Sequence, residues 1–240
     1  MVKKPPIRCI VNIVIPKDSF SMERILEPEV MDDREEAIEY DAMDFTEVNT
    51  NFAKEAVQLA SINARVLDVG TGTARIPIIL SQLRPQWQII AIDLADSMLE
   101  IGQKNILNAN CQEQIKLEKV DGKNLPYQSE QFDLVISNSL IHHLENPLPF
   151  LREIKRVLKP NGGIFLRDLF RPDSEEIIKG MVREIDPNFS PRQAQLFQDS
   201  LRAAFTLAEI EDLIQQSGLK NVKIYQSSER HWTAIKTSKN

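Results

Sequence analysis

Two aspartates and two glycines in the first half of the chain have types and spacing suited to ligand binding. One apolar run leads into Asp68, Gly70 and Gly72, and a second apolar run ends at Asp93. Glycine has no Cβ, so the turn can be tight and its N–H groups can approach a ligand. Asp93 can accept hydrogen bonds from both hydroxyls of a ribose. A strand, a glycine turn, a helix and an acid after the next strand predict a nucleotide-binding half-site.

The details of this turn separate two classes of cofactor. A dinucleotide-binding turn has the pattern Gly-x-Gly-x-x-Gly, and Arg75 occupies the third glycine position here. The stretch Asp68-x-Gly70-x-Gly72-x-Ala74 instead resembles the Asp-x-Gly-x-Gly-x-Gly signature of class I S-adenosylmethionine (SAM)-dependent methyltransferases, with alanine replacing the last glycine. Taken alone, the motif also leaves open another nucleotide-binding protein or a tight turn without a ligand.

Four further segments follow in the order that this resemblance requires, so that it covers roughly residues 38 to 170. They are an acid and helix start at 93–99 with Asp96 or Ser97 as the cap, a third strand at 115–122, a fourth strand at 132–138, and an amphipathic helix, glycine turn and fifth strand at 151–166. The resemblance implies a doubly wound, Rossmann-like α/β fold. Its seven strands are expected in the order 3-2-1-4-5-7-6, with the last strand antiparallel.

The resemblance also implies that SAM is the cofactor and S-adenosylhomocysteine (SAH) the product. The acid that ends the third strand is expected against the adenine amino group, and the aromatic face of Tyr40 is expected over the sulfonium, which it can attract. The alternative for Tyr40 is ordinary packing within a helical lid. The expected cofactor-binding residues are Tyr40, Asp68, Gly70, Thr71, Gly72, Asp93, Leu94, Met98, Asp121, Gly122 and Asn138.

Two adjacent histidines follow the fourth strand, where this superfamily places the loop beside the methyl group. Either His142 or His143 could contact the acceptor or act as a base, and His142 is nearer the strand end. We predict no metal site, because neighbours on a helix point apart and a metal site usually needs a third ligand. Asp168 ends the fifth strand and is a third candidate catalytic residue, either facing substrate or paired with Arg171.

Length and composition are consistent with one catalytic domain that carries additions. We expect an N-terminal arm at 1–30 and a single domain at 31–240, which includes a helical lid at 31–62 and a helical cap at 173–218. The net charge of −6 disfavours a nucleic-acid partner. The apolar stretch at 7–15 is too short to span a bilayer, so no membrane anchor is expected. Two cysteines without metal-site spacing favour free thiols in the cytoplasm.

The predicted function is methyl transfer from SAM to a small-molecule acceptor. The resemblance to methyltransferases of quinone-biosynthesis type is general, and it leaves open the acceptor atom, the need for a base and the oligomeric state. One alternative is a non-catalytic SAM-binding or scaffolding protein. Another is an NAD-dependent oxidoreductase, which Arg75 opposes, as does the lack of a Tyr-x-x-x-Lys pair.

Overall fold

The computed structural model describes residues 22–27, 32–185 and 190–238, and within them one mixed sheet. Its strands are β1 (Arg65–Val69), β2 (Gln88–Asp93), β3 (Ile115–Lys119), β4 (Phe132–Asn138), β5 (Leu158–Leu169), β6 (Lys223–Gln226) and β7 (His231–Lys236). The order is β3-β2-β1-β4-β5-β7-β6, and β7 is antiparallel to both of its neighbours. The predicted strand order and the antiparallel last strand are therefore confirmed.

Helices cover both faces of this sheet. They are α1 (Arg34–Ala42), α2 (Thr46–Ala56), α3 (Arg75–Leu83), α4 (Asp96–Asn108), α5 (Leu148–Val157), α6 (Glu175–Ile185), α7 (Pro191–Ala203) and α8 (Leu207–Ser217), with a 3-10 turn at Ile141–His143. Successive residues of a strand point to opposite faces. Val66 accordingly packs in one buried cluster with α2 and α3, while Leu67 packs in the other with α5 and α8. The central strands are apolar on both faces because both are covered.

The helices predicted at 31–62 and 173–218 form close to their expected positions. The capping boxes at Ser190 and Thr206 begin α7 and α8, since each side chain accepts a hydrogen bond from the backbone three residues later. The cap expected from Asp96 or Ser97 is not present. Asp32 instead accepts from the Ser97 N–H at 3.0 Å, so a residue of the N-terminal region caps α4.

The glycine turn expected between α5 and β5 is present as a bulge at the start of the strand. The strand begins at Leu158, directly after the helix, and Leu158 pairs with Phe132; the next pair is Gly163 with Leu134, so residues 159–162 have no partner in β4. Gly163 lies within the strand, and a Cβ there would be 2.7 Å from the carbonyl oxygen of Leu59. This glycine therefore permits close approach of a neighbouring backbone, a role that glycine serves in strands as well as in turns.

Residues 22–27 belong to the predicted N-terminal arm, yet they are docked on the body of the protein. Arg24 donates to the carbonyl oxygens of Ala203, His142 and Leu144 at 2.6, 2.9 and 2.8 Å. Its guanidinium lies 3.7 Å from the ring centroid of Phe205. The arm is thus fastened to the loop that follows β4.

The stretch at 7–15 and the predicted boundary between residues 30 and 31 lie outside the described residues. None of the helices in the described part is long and apolar enough to cross a membrane.

Candidate functional site

A cleft opens at the carboxyl ends of β1, β2 and β4. This edge is where open α/β sheets bind ligands. The predicted residues that line the cleft are Tyr40, Gly70, Gly72, Asp93, Leu94, Met98, Asp121, Gly122 and His143. The sheet and the lid thus bring together nine of the fourteen positions that the sequence proposes.

The glycine turn lines the cleft, and its backbone is left-handed at both glycines. Gly70 has a φ of +75° and Gly72 a φ of +54°, values that residues with a Cβ rarely adopt. A Cβ on Gly70 would also lie 2.9 Å from a methyl carbon of Leu140, whereas one on Gly72 would meet only Tyr40, at 3.8 Å. Ala74, where the family signature has glycine, adopts the same left-handed region at φ of +62°.

Asp93 holds this turn and retains capacity for a ligand. Its Oδ2 accepts from the N–H of Gly72 at 2.8 Å, and its Oδ1 accepts from the N–H of Ala95 at 3.0 Å. A carboxylate offers about four acceptor positions, so one remains on each oxygen. The geometry therefore leaves Asp93 able to accept two hydroxyl groups.

Asp68 lies beneath the turn and is only 2% exposed. Its Oδ2 has no hydrogen-bond partner. Burial raises the pKa of this carboxyl to about 7, and the nearby Asp93 carboxylate adds to the shift. At neutral pH a cation arriving in the cleft would find a carboxyl that can either ionise or stay protonated.

Three expected cofactor contacts are not on the cleft wall. Asp68 is buried beneath the turn, and Thr71 and Asn138 are half-buried; Ser139 and Leu140 line the cleft in place of Asn138. The backbone of Ser139 is left-handed, with φ of +55°, so the chain turns sharply where β4 ends. The wall residues that the sequence does not single out are Val69, Ala95, Val120, Lys123, Ser139, Leu140, Leu144 and Phe150.

Arg75 fastens the lid over the cleft. Its guanidinium donates to the carbonyl oxygens of Met43, at 2.7 Å, and Asp41, and its Nε lies 3.3 Å from the Asp41 carboxylate. Tyr40 is the residue before Asp41 and is held at the mouth of the cleft. The sequence identifies Arg75 only as an obstacle to a dinucleotide, and it misses this role because the partners lie on a distant helix.

Asp168 and His142 form a buried hydrogen-bonded pair behind the cleft wall. The His142 Nδ1 lies 2.5 Å from the Asp168 Oδ1, and Asp168 also accepts the backbone N–H groups of Ile141 and His142. Burial alone would lower the pKa of His142 and raise that of Asp168, but their mutual attraction reverses both directions. Neither residue lines the cleft, and Arg171 pairs with Glu209 at 2.7 Å rather than with Asp168.

The two histidines do not point apart as expected for neighbours on a helix. They occupy a 3-10 turn, and their ring centroids are 4.1 Å apart. Glu27, from the docked arm, faces both: its Oε1 lies 3.3 Å from the Nε2 of His142 and 3.0 Å from the Nδ1 of His143. Both premises of the prediction of no metal site are therefore wrong, because a third potential ligand is present and the rings converge.

Comparison with known proteins gives a consistent result. The sequence profile of a protein family described as a methyltransferase domain matches residues 67–166 of this chain. A demethylmenaquinone methyltransferase from Lactobacillus johnsonii is 29% identical over 167 residues, which cover 66% of this chain and 68% of that protein. A SAM-dependent methyltransferase from Aquifex aeolicus superposes with a TM-score of 0.64 at 18% identity, over 85% of this chain and 97% of that one. A protein from Methanococcus maripaludis, also described as a SAM-dependent methyltransferase, superposes with a TM-score of 0.66 at 21% identity. The match covers 90% of this chain and 98% of that one.

Proposed function

We propose that this chain, a class I SAM-dependent methyltransferase that acts on a small molecule, methylates an aromatic acceptor of the quinol type. The observation that carries the proposal is the apolar part of the cleft wall beside the glycine turn. It is apolar at Leu140, Leu144 and Phe150, and His143 is the imidazole beside them. A flat apolar ring with a hydroxyl group fits such a wall, and a relative with 29% identity is a demethylmenaquinone methyltransferase.

The residues around the glycine turn fit the cofactor. When bound, SAM supplies a methyl group on a sulfonium, which is activated for in-line displacement. Asp93 would accept the ribose hydroxyls, since each of its oxygens keeps an acceptor position. The unpartnered Oδ2 of Asp68 would interact with the positive end of the ligand, and the ring of Tyr40 would cover the sulfonium. Asp121 would face the adenine.

The acceptor side would work mainly by alignment and exclusion of water. Tyr40 of the lid and His143 line the cleft, and we expect a bound ring to be held between them against the methyl group with little water. His143 is the titratable ring on that wall, and we assign to it the loss of the acceptor's hydroxyl proton, which makes the ring carbon more nucleophilic. His142 and Asp168 are positioning residues, because they fix the turn that carries His143.

Calorimetric titration with SAM, SAH and NAD tests the cofactor half of the proposal. We expect SAM and SAH to bind and NAD not to bind. Asp93→Ala and Gly72→Val should abolish binding, while Glu211→Ala, an exposed acid on α8, should leave it unchanged. A preference for NAD, or unchanged binding in both cleft variants, would refute the assignment.

Transfer of a labelled methyl group from SAM tests the acceptor half. The panel is a naphthohydroquinone, a simple phenol and an aromatic amine, and the products are identified by mass spectrometry. We expect a ring-methylated naphthohydroquinone. Labelling of the amine alone would show that the acceptor class is wrong even if the cofactor site is correct.

We further propose that residues 31–240 act as a single catalytic domain in a reducing, cytoplasmic setting. Support for the domain comes from one sheet, on which Phe52 of the lid packs against Phe165 and which α8 of the cap also contacts. Support for the setting comes from Cys111, which is buried and free. Limited proteolysis should leave one resistant fragment that starts near residue 31 or earlier, and two stable fragments would contradict the single domain.

A further inference from the structure

Three side chains with metal-binding atoms converge where the docked arm meets the 3-10 turn. They are Glu27, His142 and His143, and their ligand atoms all lie within 4.8 Å of one another. The Glu27 Oε1 is 3.3 Å from the His142 Nε2 and 3.0 Å from the His143 Nδ1. Two ligand atoms that each lie about 2.1 Å from a tetrahedral zinc ion are about 3.4 Å apart. The two edges measured here are close to that spacing.

Asp168 prepares one of these atoms for coordination. The His142 Nδ1 lies 2.5 Å from the Asp168 Oδ1, and in the tautomer that donates a hydrogen bond from Nδ1 to this carboxylate the Nε2 lone pair faces Glu27. Histidine ligands of metals commonly donate their other ring N–H to a carboxylate, which fixes the tautomer and makes the ligand more basic. Asp168 itself is held by the backbone N–H groups of Ile141 and Leu169.

The remaining two atoms need a positive partner. The Glu27 Oε1 and the His143 Nδ1 are buried, and neither has a hydrogen bond of acceptable geometry. A buried acceptor without a partner costs free energy, and two acceptors 3.0 Å apart repel unless a proton or a cation lies between them. Arg24 does not fill this role at the cluster, because the four hydrogen bonds that it donates go to backbone carbonyl oxygens.

We propose that Glu27, His142 and His143 bind a divalent zinc ion, with the fourth coordination position open toward the cleft. Two imidazoles and one carboxylate form a ligand set that zinc uses in catalytic sites. His143 is the member of the set that also lines the cleft, so an incoming fourth ligand approaches from that side. The ion joins the N-terminal arm to the loop after β4.

The fourth ligand is the acceptor's hydroxyl oxygen, and this part of the inference rests on the proposed function. A zinc ion polarises a bound oxygen and lowers the pKa of its proton, so the role assigned to His143 is carried out through the ion. The hydroxyl proton leaves to solvent, and the oxygen keeps the electron pair that increases the reactivity of the ring.

Metal binding is measured on the full chain after chelation, by calorimetry with zinc alone and by elemental analysis after dialysis. We expect one equivalent per chain, and at least a hundredfold weaker binding in Glu27→Gln and in His143→Ala. His231→Ala is the matched control, because His231 is the only histidine outside the cluster, and its variant should keep one equivalent. Titration with SAH shows that each variant is folded. Absence of zinc binding in the unsubstituted chain, or equal binding in the cluster variants, would overturn the proposal.

Spectroscopy tests the coordination directly and does not depend on any variant folding. Cobalt substituted for zinc should give the visible absorption of a four-coordinate ion, and X-ray absorption should show nitrogen and oxygen ligands without sulfur. Sulfur ligation or a six-coordinate ion would contradict the assigned site. Addition of a naphthohydroquinone should shift the cobalt spectrum. An unchanged spectrum would refute coordination of the acceptor by the metal but would not contradict the zinc site itself. Binding of SAH is measured separately and reports on the cofactor site.

Discussion

Ionisation of Asp68 should make SAM binding depend on pH. The carboxyl has a pKa of about 7 in the ligand-free protein, because it is buried and lies near Asp93. A positively charged ligand favours the carboxylate, so binding should lower this pKa and release a proton. If only the ionised form binds SAM, the dissociation constant at pH 6 is increased by about elevenfold over its limit, and at pH 8 by only about 1.1-fold.

Asp68→Asn is the matched comparison, because asparagine has the same shape and does not titrate. The ammonium group of SAM also titrates near pH 8, but this affects both proteins equally. The ratio of the variant's dissociation constant to that of the unsubstituted protein should therefore rise about tenfold from pH 6 to pH 8. Calorimetry in buffers of different ionisation enthalpy at pH 7 should show about half a proton released per SAM, and none attributable to this site in the variant.

A flat ratio across this range would refute the reasoning. It would mean either that Asp68 is already ionised in the free protein or that its charge does not act on the ligand. The affinity of the variant distinguishes these cases, since only the first predicts that SAM binds more weakly to Asp68→Asn, while neither predicts a difference in proton release.

Four other outcomes are expected. Gly70→Ala should lower the free energy of unfolding, measured in urea, by about 2 kcal/mol or more, because alanine is strained at a positive φ and its Cβ would clash with Leu140. A second substitution, Leu140→Ala, should recover the part of the loss that the clash causes. Arg75→Ala should weaken SAM binding about tenfold in calorimetry, because the lid loses its fastening. Asp168→Asn should cost about 3 kcal/mol in the same urea experiment, since it leaves a buried imidazole without its anion. The ligand-free protein should lose stability as pH rises from 4 to 7, because Asp68 binds a proton more tightly when folded, and Asp68→Asn should reduce that loss in thermal melts.

The sheet could be predicted because its information is local. Each of the central strands is a short apolar run, and the glycine turn after β1 occurs at a fixed distance from its acid, Asp93. The order of the strands then followed from the family resemblance. Errors arose where a local residue was expected to do what a distant one does, as at the start of α4, where Asp32 takes the capping role expected of Asp96 or Ser97.

The candidate site could be predicted only in part, because the surroundings of the two histidines depend on contacts between distant residues. Glu27 lies 115 residues before His142, and no periodicity links them. The expectation that the two histidines diverge assumed an α-helix, and the 3-10 turn removed that basis. Asp168 was identified correctly as unusual, but its partner in the structure is His142 rather than Arg171.

The N-terminal region and the sheet contribute different parts of the site. The sheet supplies the glycine turn and Asp93, which concern the cofactor. The arm and the lid are fastened over them by two arginines that donate to backbone carbonyl oxygens, Arg24 to the histidine turn and Arg75 to the lid. Carbonyl oxygens are present whatever the side chains are, so these attachments tolerate sequence change around them. We therefore expect the lid helices α1 and α2, apart from Tyr40 and Asp41, to govern which acceptor enters, while exchanges there leave SAH affinity largely unchanged.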